Sequence, residues 1–413
     1  FYQFFLTIAL LISPIIIFFR ILRKKEDSFR FVEKFSTPTY KRKRGKLLWF
    51  HGASVGEILS VIPIIQHYEK YKSIDQILVT SSTLSSSKVL KKYKLKKTIH
   101  QFYPIDHFYF TKKFLNYWKP NFAIFIESEI WPCMFNDLEQ RKVPLILLNA
   151  RLTKKTFKRW MLIKKFSKSI FEKIKISYPQ NLETKFYLKK IKTNKIKILG
   201  NLKFIKNNNN KYNKINDNLK KELSKKMLWV ASSTHQDEEI FCSEAHVRLK
   251  KRFKNLITII IPRHVHRVKN LVPEIKNFHL KVATHSSKPK NLKNVDIYIV
   301  DTFGETEKFY KLASSVFLGG SVIKRGGQNP LEAARFGAKI LHGPNIDNFE
   351  DIYKLLRKIK VSKKIKTVKE LSSSISFEKN MHIGKKIENI GEIILKKTIK
   401  ELDTLIYNEF KKT

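Results

Sequence analysis

The chain has 413 residues, too many for one typical core, so two domains plus an appendage are expected. Its apolar content of 42% is that of a globular protein, while a formal net charge of +48 raises nucleic acid as a partner. The basic residues are spread through every segment with no RNP, zinc-finger or basic-zipper pattern, so nucleic acid is set aside and an anionic membrane surface is the more specific partner. Cys133 and Cys242 stand far apart without metal-ligand spacing, which points to a reducing compartment.

Phe1 to Phe19 carry no charge, and at about 1.5 Å per residue they reach roughly 28 Å, close to a bilayer core. A cleaved signal peptide would need a basic start and a small-residue cleavage site, and neither is present. Residues 1–22 therefore read as a membrane anchor, with Pro14 leaving room for a shallow interfacial insertion. Arg20, Arg23, Lys24 and Lys25 follow at once and place the rest of the chain on the cytoplasmic side. The first residue is not methionine, which suggests a start inside a longer chain.

From Leu47 short apolar runs alternate with helical stretches: Leu47 to His51, then QILVTSS, FAIFIE, PLILLNA and KIKILG. Such alternation means a parallel sheet covered on both faces. This first α/β domain is expected over 23–205, followed by an Asn-rich linker at 206–226. The alternation restarts with LWVASS, LITIIIP, VDIYIV, SVFLGG and AKILHG, giving a second α/β domain over 227–395 and a lysine-rich helical tail at 396–413. The fold class is thus α/β, with two Rossmann-like parallel-sheet domains expected to face a cleft where substrates bind.

Within the first domain, HGASVGE follows a strand and precedes an apolar helix. Ser54 and Glu57 have capping-box spacing, so Glu57 has two readings: a cap on its own helix, or a general base at a strand end. Glu127 and Glu129 close the strand FAIFI, where packing gives no reason for two carboxylates; they line a crevice or are solvated loop acids. Lys203 follows the domain's last strand and is unremarkable by itself in so basic a chain.

In the second domain, Pro262-Arg263-His264 ends the strand LITIII, and Arg263 suits a bidentate grip on phosphate or carboxylate, or a surface ion pair. His264 and His266 have no third ligand, so no metal site is assigned. Thr302 and Glu305 again have capping-box spacing. After Val316-Phe317-Leu318 come Gly319-Gly320 and Gly326-Gly327, and then Asn329-Pro330-Leu331-Glu332, an N-cap residue, a first-turn proline and a carboxylate. A helix start suits a phosphate, and carboxylates within two such turns suit ribose hydroxyls, so both turns are expected to converge on one nucleotide.

Taken in order, SVGE, ESEIWP, NARLTKKTF, GNLKF, ASSTHQDEE, PRH, DTFGE, GGQNPLEAA and GPNIDNF resemble the Kdo (3-deoxy-D-manno-octulosonic acid) transferases over nearly the whole chain. The resemblance implies a glycosyltransferase B fold with an N-terminal membrane anchor. It implies CMP-Kdo as donor and the lipid A precursor (lipid IVA) as acceptor in lipopolysaccharide core assembly, at the cytoplasmic face of the inner membrane. It implies inversion with no metal and no cofactor, Glu57 as proton acceptor, and Glu127 with Lys203 supporting the transition state. CMP would be held by Pro262, Arg263, Phe303, Gly304, Glu305, Asn329, Pro330, Leu331 and Glu332. Gln328 and Phe303 depart from the family's more usual histidine and methionine, and Ile205 stands where an acid is often found.

Overall fold

The computed structural model describes residues 2–206 and 215–411, excluding the side chains of Gln3, Phe4, Phe5 and Ala9. It divides into unit 1, Phe1–Asn209 with Gly391–Thr413, and unit 2, Asn210–Ile390. The expected linker falls partly on residues 207–214, which lie outside the described residues; beyond them Asp217–Ser224 is a helix with Leu223 buried.

Unit 1 is built on seven strands: β1 (Leu47–His51), β2 (Gln76–Ser81), β3 (Thr98–Phe102), β4 (Phe122–Ile126), β5 (Leu145–Ala150), β6 (Ile176–Pro179) and β7 (Lys195–Ile196). They are ordered β3-β2-β1-β4-β5-β6-β7, and every pairing is parallel. The strand order reverses between β1 and β4, and the crevice outside their carboxyl ends is where such sheets bind ligands. β1, β2, β4 and β5 are buried along their whole length, which is why they read as continuous apolar runs rather than alternating ones. Trp49, Phe114, Phe125 and Phe135 form the aromatic centre of the core on one face.

Unit 2 repeats the plan with β8 (Met227–Thr234), β9 (Leu256–Pro262), β10 (Val282–Thr284), β11 (Ile297–Ile299), β12 (Ser315–Leu318), β13 (Lys339–His342) and β14 (Ser362–Lys364). Their order is β10-β11-β9-β8-β12-β13-β14, again parallel, with the reversal between β8 and β12. The α/β class and its two doubly wound sheets are as the alternation of strands and helices predicts.

The anchor expectation is only half met. Tyr2–Leu22 is a helix, yet among the described residues no helix is long and apolar enough to cross a membrane. One side of it is committed to protein: the Tyr2 hydroxyl donates to Asp106 Oδ2 at 2.8 Å, Thr7 Oγ1 lies 3.5 Å from His107 Nε2, and Ile17 is buried. The other side exposes Ile8, Leu11, Ile12, Ile15, Ile16, Phe18, Phe19 and Leu22. Spaced three and four apart, they make one apolar stripe.

The long helix Met381–Phe410 ends in unit 1. A Cβ placed on Gly391 would lie 2.1 Å from the Phe204 carbonyl oxygen, so glycine is what lets the helix lie directly on the segment that carries Lys203.

Candidate functional site

In unit 1, Glu57 stands in the first turn of the helix Val55–Tyr68, immediately after β1. The capping reading is realised: Ser54 Oγ accepts from the Glu57 N–H at 3.3 Å and donates to Glu57 Oε1 at 2.7 Å, and the Ala53 N–H donates to Oε2 at 2.8 Å. Those bonds favour the ionised form, but burial and the charges of Glu129 and Glu127 outweigh them and push the carboxyl up to about 7. Glu57 is therefore a cap and, at the same time, a proton-binding group poised at neutral pH.

Glu127 leaves β4 with φ at +57°, a left-handed conformation costly for any residue but glycine. This turn aims its buried carboxylate at Lys203, with Nζ 2.8 Å from Oε1. Asn149, at the end of β5 and also at positive φ, bridges the two elements: its amide nitrogen is 3.4 Å from Glu127 Oε1 and its Oδ1 accepts the Leu202 N–H at 3.0 Å. Asn201 Oδ1 accepts the Lys203 N–H at 3.0 Å and fixes that short turn. Sequence reasoning named Glu57, Glu127 and Lys203, and the fold brings all three to the strand reversal of one sheet. It passed over Asn149, although NARLTKKTF was in view, because only the positive φ reveals what that residue does. It also passed over His51, whose Nε2 lies 3.0 Å from Glu129 Oε2.

In unit 2, the glycine loop after β12 departs from expectation. Its N–H groups already hold an anion: the buried Glu238 carboxylate accepts from Gly320 (2.6 Å), Ser321 (3.1 Å) and Val322 (3.0 Å), and from His235 (3.1 Å). A Cβ on Gly319 would lie 2.5 Å from Ser233 O and 2.7 Å from Glu238 Oε2, so this glycine admits the protein's own carboxylate, not a phosphate.

The helix starts are also weaker than predicted. Asn329 Oδ1 does accept the Leu331 N–H at 3.1 Å, but the helix Leu331–Ala334 is a single turn. The Thr302–Glu305 capping box does not form: the helix Thr306–Tyr310 starts later, Thr302 Oγ1 is buried without a hydrogen-bond partner among the described residues, and Glu305 pairs with Lys308 at 2.5 Å. Neither turn is long enough for a sizeable dipole. The two short helices nonetheless pack against one another. Phe303 is 82% exposed, open space surrounds Gly304 at φ +87°, and Glu332 is exposed while Pro330 and Leu331 are buried.

Pro262 closes β9, and the Arg263 N–H donates to Thr234 O at 2.9 Å, tying β9 to β8. Arg263 is exposed, as are His264 and Arg325. The His235 and His264 rings are 5.5 Å apart, and both His235 and Arg325 border Gly320. Burial first, then His264 and the nearby arginines, hold the His235 imidazole below its ordinary range. The exposed guanidinium groups of Arg263 and Arg325 are the permanent positive charges of this cluster, and they suit an anion. His235 and Arg325 were not named from sequence, where in so basic a chain neither stands out. Among the described residues no group of three metal-ligating side chains could hold a metal ion.

Residues 29–206 match the family described as 3-Deoxy-D-manno-octulosonic-acid transferase (kdotransferase). The 3-deoxy-D-manno-octulosonic acid transferase of Rickettsia bellii is 35% identical over 407 residues, covering 96% of this chain and 94% of that protein. The Haemophilus influenzae protein of the same name is 27% identical over 75% of this chain and 73% of its own. Among solved structures, a putative UDP-N-acetylglucosamine 2-epimerase from Listeria monocytogenes superposes with a TM-score of 0.58 at 12% identity, over 89% of this chain and 98% of its own. A glycotransferase of kitacinnamycin gives 0.53 at 7% identity, over 89% and 100%. At such identities these structures speak for the shared two-domain α/β fold alone.

Proposed function

Since the chain belongs to the 3-deoxy-D-manno-octulosonic acid transferase family and is a glycosyltransferase, we propose that it transfers Kdo from CMP-Kdo to the lipid A precursor (lipid IVA) in lipopolysaccharide core assembly. The observation that carries this reading is the Glu57 carboxyl, pushed up to about 7 by burial and two neighbouring carboxylates at the strand reversal of unit 1. A general base works best with a proton affinity near the working pH.

In this reading an acceptor hydroxyl attacks the anomeric carbon of Kdo while the bond from that carbon to the CMP phosphate oxygen breaks. Glu57 takes the hydroxyl proton, CMP leaves with the electron pair, and configuration inverts. Lys203, held by Glu127, supplies positive charge that suits the sugar's own carboxylate. Arg263 and Arg325 offer fixed charge for the departing phosphate, with the His235 imidazole beside the glycine loop as an uncharged hydrogen-bonding group, so the reading gives no step to a metal. The turns Phe303 to Glu305 and Asn329 to Glu332 are the proposed nucleoside contacts, with Phe303, Gly304 and Glu332 exposed and Pro330 and Leu331 buried beneath.

The acceptor is an anionic glycolipid, and the reading places the protein on the cytoplasmic face of the inner membrane. Two features support that location. One is the exposed apolar stripe of the helix Tyr2–Leu22; the other is the exposed corner of Leu162, Ile163 and Phe166, flanked by Lys164 and Lys165 and linked to the helix by the 6.2 Å contact of Tyr2 with Phe166. Apolar insertion with basic flanks is what an interfacial helix on anionic lipid requires.

The test is mass spectrometry of lipid A precursor incubated with CMP-Kdo and the protein, with CMP and UDP binding measured by calorimetry. A mass gain of one or more Kdo units is expected. CMP binding without a mass gain would refute the acceptor, and a preference for UDP would refute the donor.

A further inference from the structure

Unit 1 holds three carboxylates around the end of β1 and β4, and they are not equivalently partnered. Glu127 faces Lys203 at 2.8 Å. Glu129 faces His51, whose Nε2 is 3.0 Å from Oε2, and the same oxygen accepts the Trp131 indole N–H at 2.9 Å. Glu57 is met by a hydroxyl and a backbone N–H rather than a cation.

We propose that Glu129 is a positioning residue for the base: fixed by His51, it places a negative charge that keeps the Glu57 carboxyl proton-receptive. The inference rests on the reading of Glu57 as general base.

The geometry around His51 argues for a purpose beyond packing. The residue is fully buried at the last position of β1, stacked on Tyr103 with centroids 3.9 Å apart and edge-on to Phe125 at 4.9 Å, so its ring cannot turn. Its Nδ1 lies 2.9 Å from Thr80 Oγ1 and 3.2 Å from the Thr80 carbonyl, and Thr80 Oγ1 also accepts the Trp49 indole N–H. Both ring nitrogens therefore face acceptors, and the nitrogen that meets Glu129 is locked in place.

Tying down a loop would need only a neutral acceptor at position 129. A carboxylate beside two others is electrostatically unfavourable there, and such a cost is retained where it tunes a neighbour. Burial acts to raise the Glu129 carboxyl, yet the His51 hydrogen bond, its charge and the Trp131 bond together hold it below its ordinary value. Glu57 is the carboxyl left to yield. The groups facing it are Glu127 and Glu129 from the loop after β4 and Ser54 from its own turn, with Lys203 across from Glu127 and Tyr103 behind Glu129.

The experiment is the pH dependence of kcat/KM for sugar transfer in the parent, Glu129→Gln, Glu129→Asp and Glu57→Gln. Glu129→Gln keeps the length and both hydrogen bonds but loses the charge; the midpoint of its acid limb is expected to fall below that of the parent by about one unit, with a several-fold lower plateau. Glu129→Asp keeps the charge and is expected to hold the parent midpoint despite slower turnover. A merely structural role predicts the reverse, with the shorter side chain more harmful and neither midpoint moved, and that result would overturn the inference. If the amide variant does not fold, a displaced midpoint in Glu129→Asp overturns it instead. Parent-like turnover by Glu57→Gln would remove the base itself, a failure distinguishable from an unmoved midpoint in an enzyme that still needs Glu57.

Discussion

Glu57 shows how one side chain can serve a fold and strain it. As the third residue of its helix it closes a cap with Ser54, a contribution of roughly 1 kcal/mol. As a half-buried acid beside Glu127 and Glu129 it holds its proton up to about pH 7. Its folded value of about 7 lies above the ordinary 4.5, so the native state binds the proton more tightly than the unfolded chain. That contribution is complete below about 4.5 and is lost as pH rises through about 7. Glu57→Gln, which keeps the cap, is therefore expected to gain stability over the parent as pH rises from 5 to 8, by up to about 3 kcal/mol. Denaturation at several pH values checks this, and a difference that does not vary with pH would contradict it.

At the scale of elements, what could be read in the sequence follows the burial of each strand. β1 and β9 fall where the text places them, because strands paired on both edges and covered on both faces must be apolar throughout. β3, β10 and β14 were not read as strands: they lie at sheet edges and carry TIHQF, VAT and SKK, with too little apolar surface to stand out. β6, buried between β5 and β7, was missed as well because ISYP is short and interrupted by a serine, and of KIKILG only Lys195–Ile196 is strand. Of the catalytic candidates, Glu127 was legible because a carboxylate at the end of an apolar strand has no packing purpose, whereas Glu57 reads equally well as a cap and Lys203 stands out only through the family resemblance. The Glu238 anchor was not, since nothing local says that a helix acid will fill a glycine loop 82 residues on.

The long terminal helix is another element whose purpose appears only in the fold. Gly391 lets it lie on the Phe204 carbonyl, beneath the turn that presents Lys203. Gly391→Ala is expected to lift that helix, destabilise unit 1 by roughly 1–3 kcal/mol and shift Lys203 from Glu127. Thermal unfolding together with sugar-transfer kinetics would show both effects, and an unchanged melting temperature would contradict the packing argument.

At the scale of the whole molecule, two sheets of the same plan carry different charge at their strand reversals. Unit 1 gathers carboxylates, one of them proton-receptive at neutral pH, and unit 2 gathers arginines and histidines around a loop whose Gly320, Ser321 and Val322 N–H groups are already taken by Glu238. A base in the first and an anion grip in the second are the complementary needs of a transfer from a sugar nucleotide to a hydroxyl. The central claim is that Glu57 removes the acceptor's proton. Its most direct test is the single-turnover rate of Kdo transfer by the parent and by Glu57→Gln, with CMP affinity and melting temperature measured on the same samples. The account predicts a loss of roughly 10²–10⁴-fold with CMP binding retained; a rate within a few-fold of the parent in a folded, CMP-binding variant would contradict it.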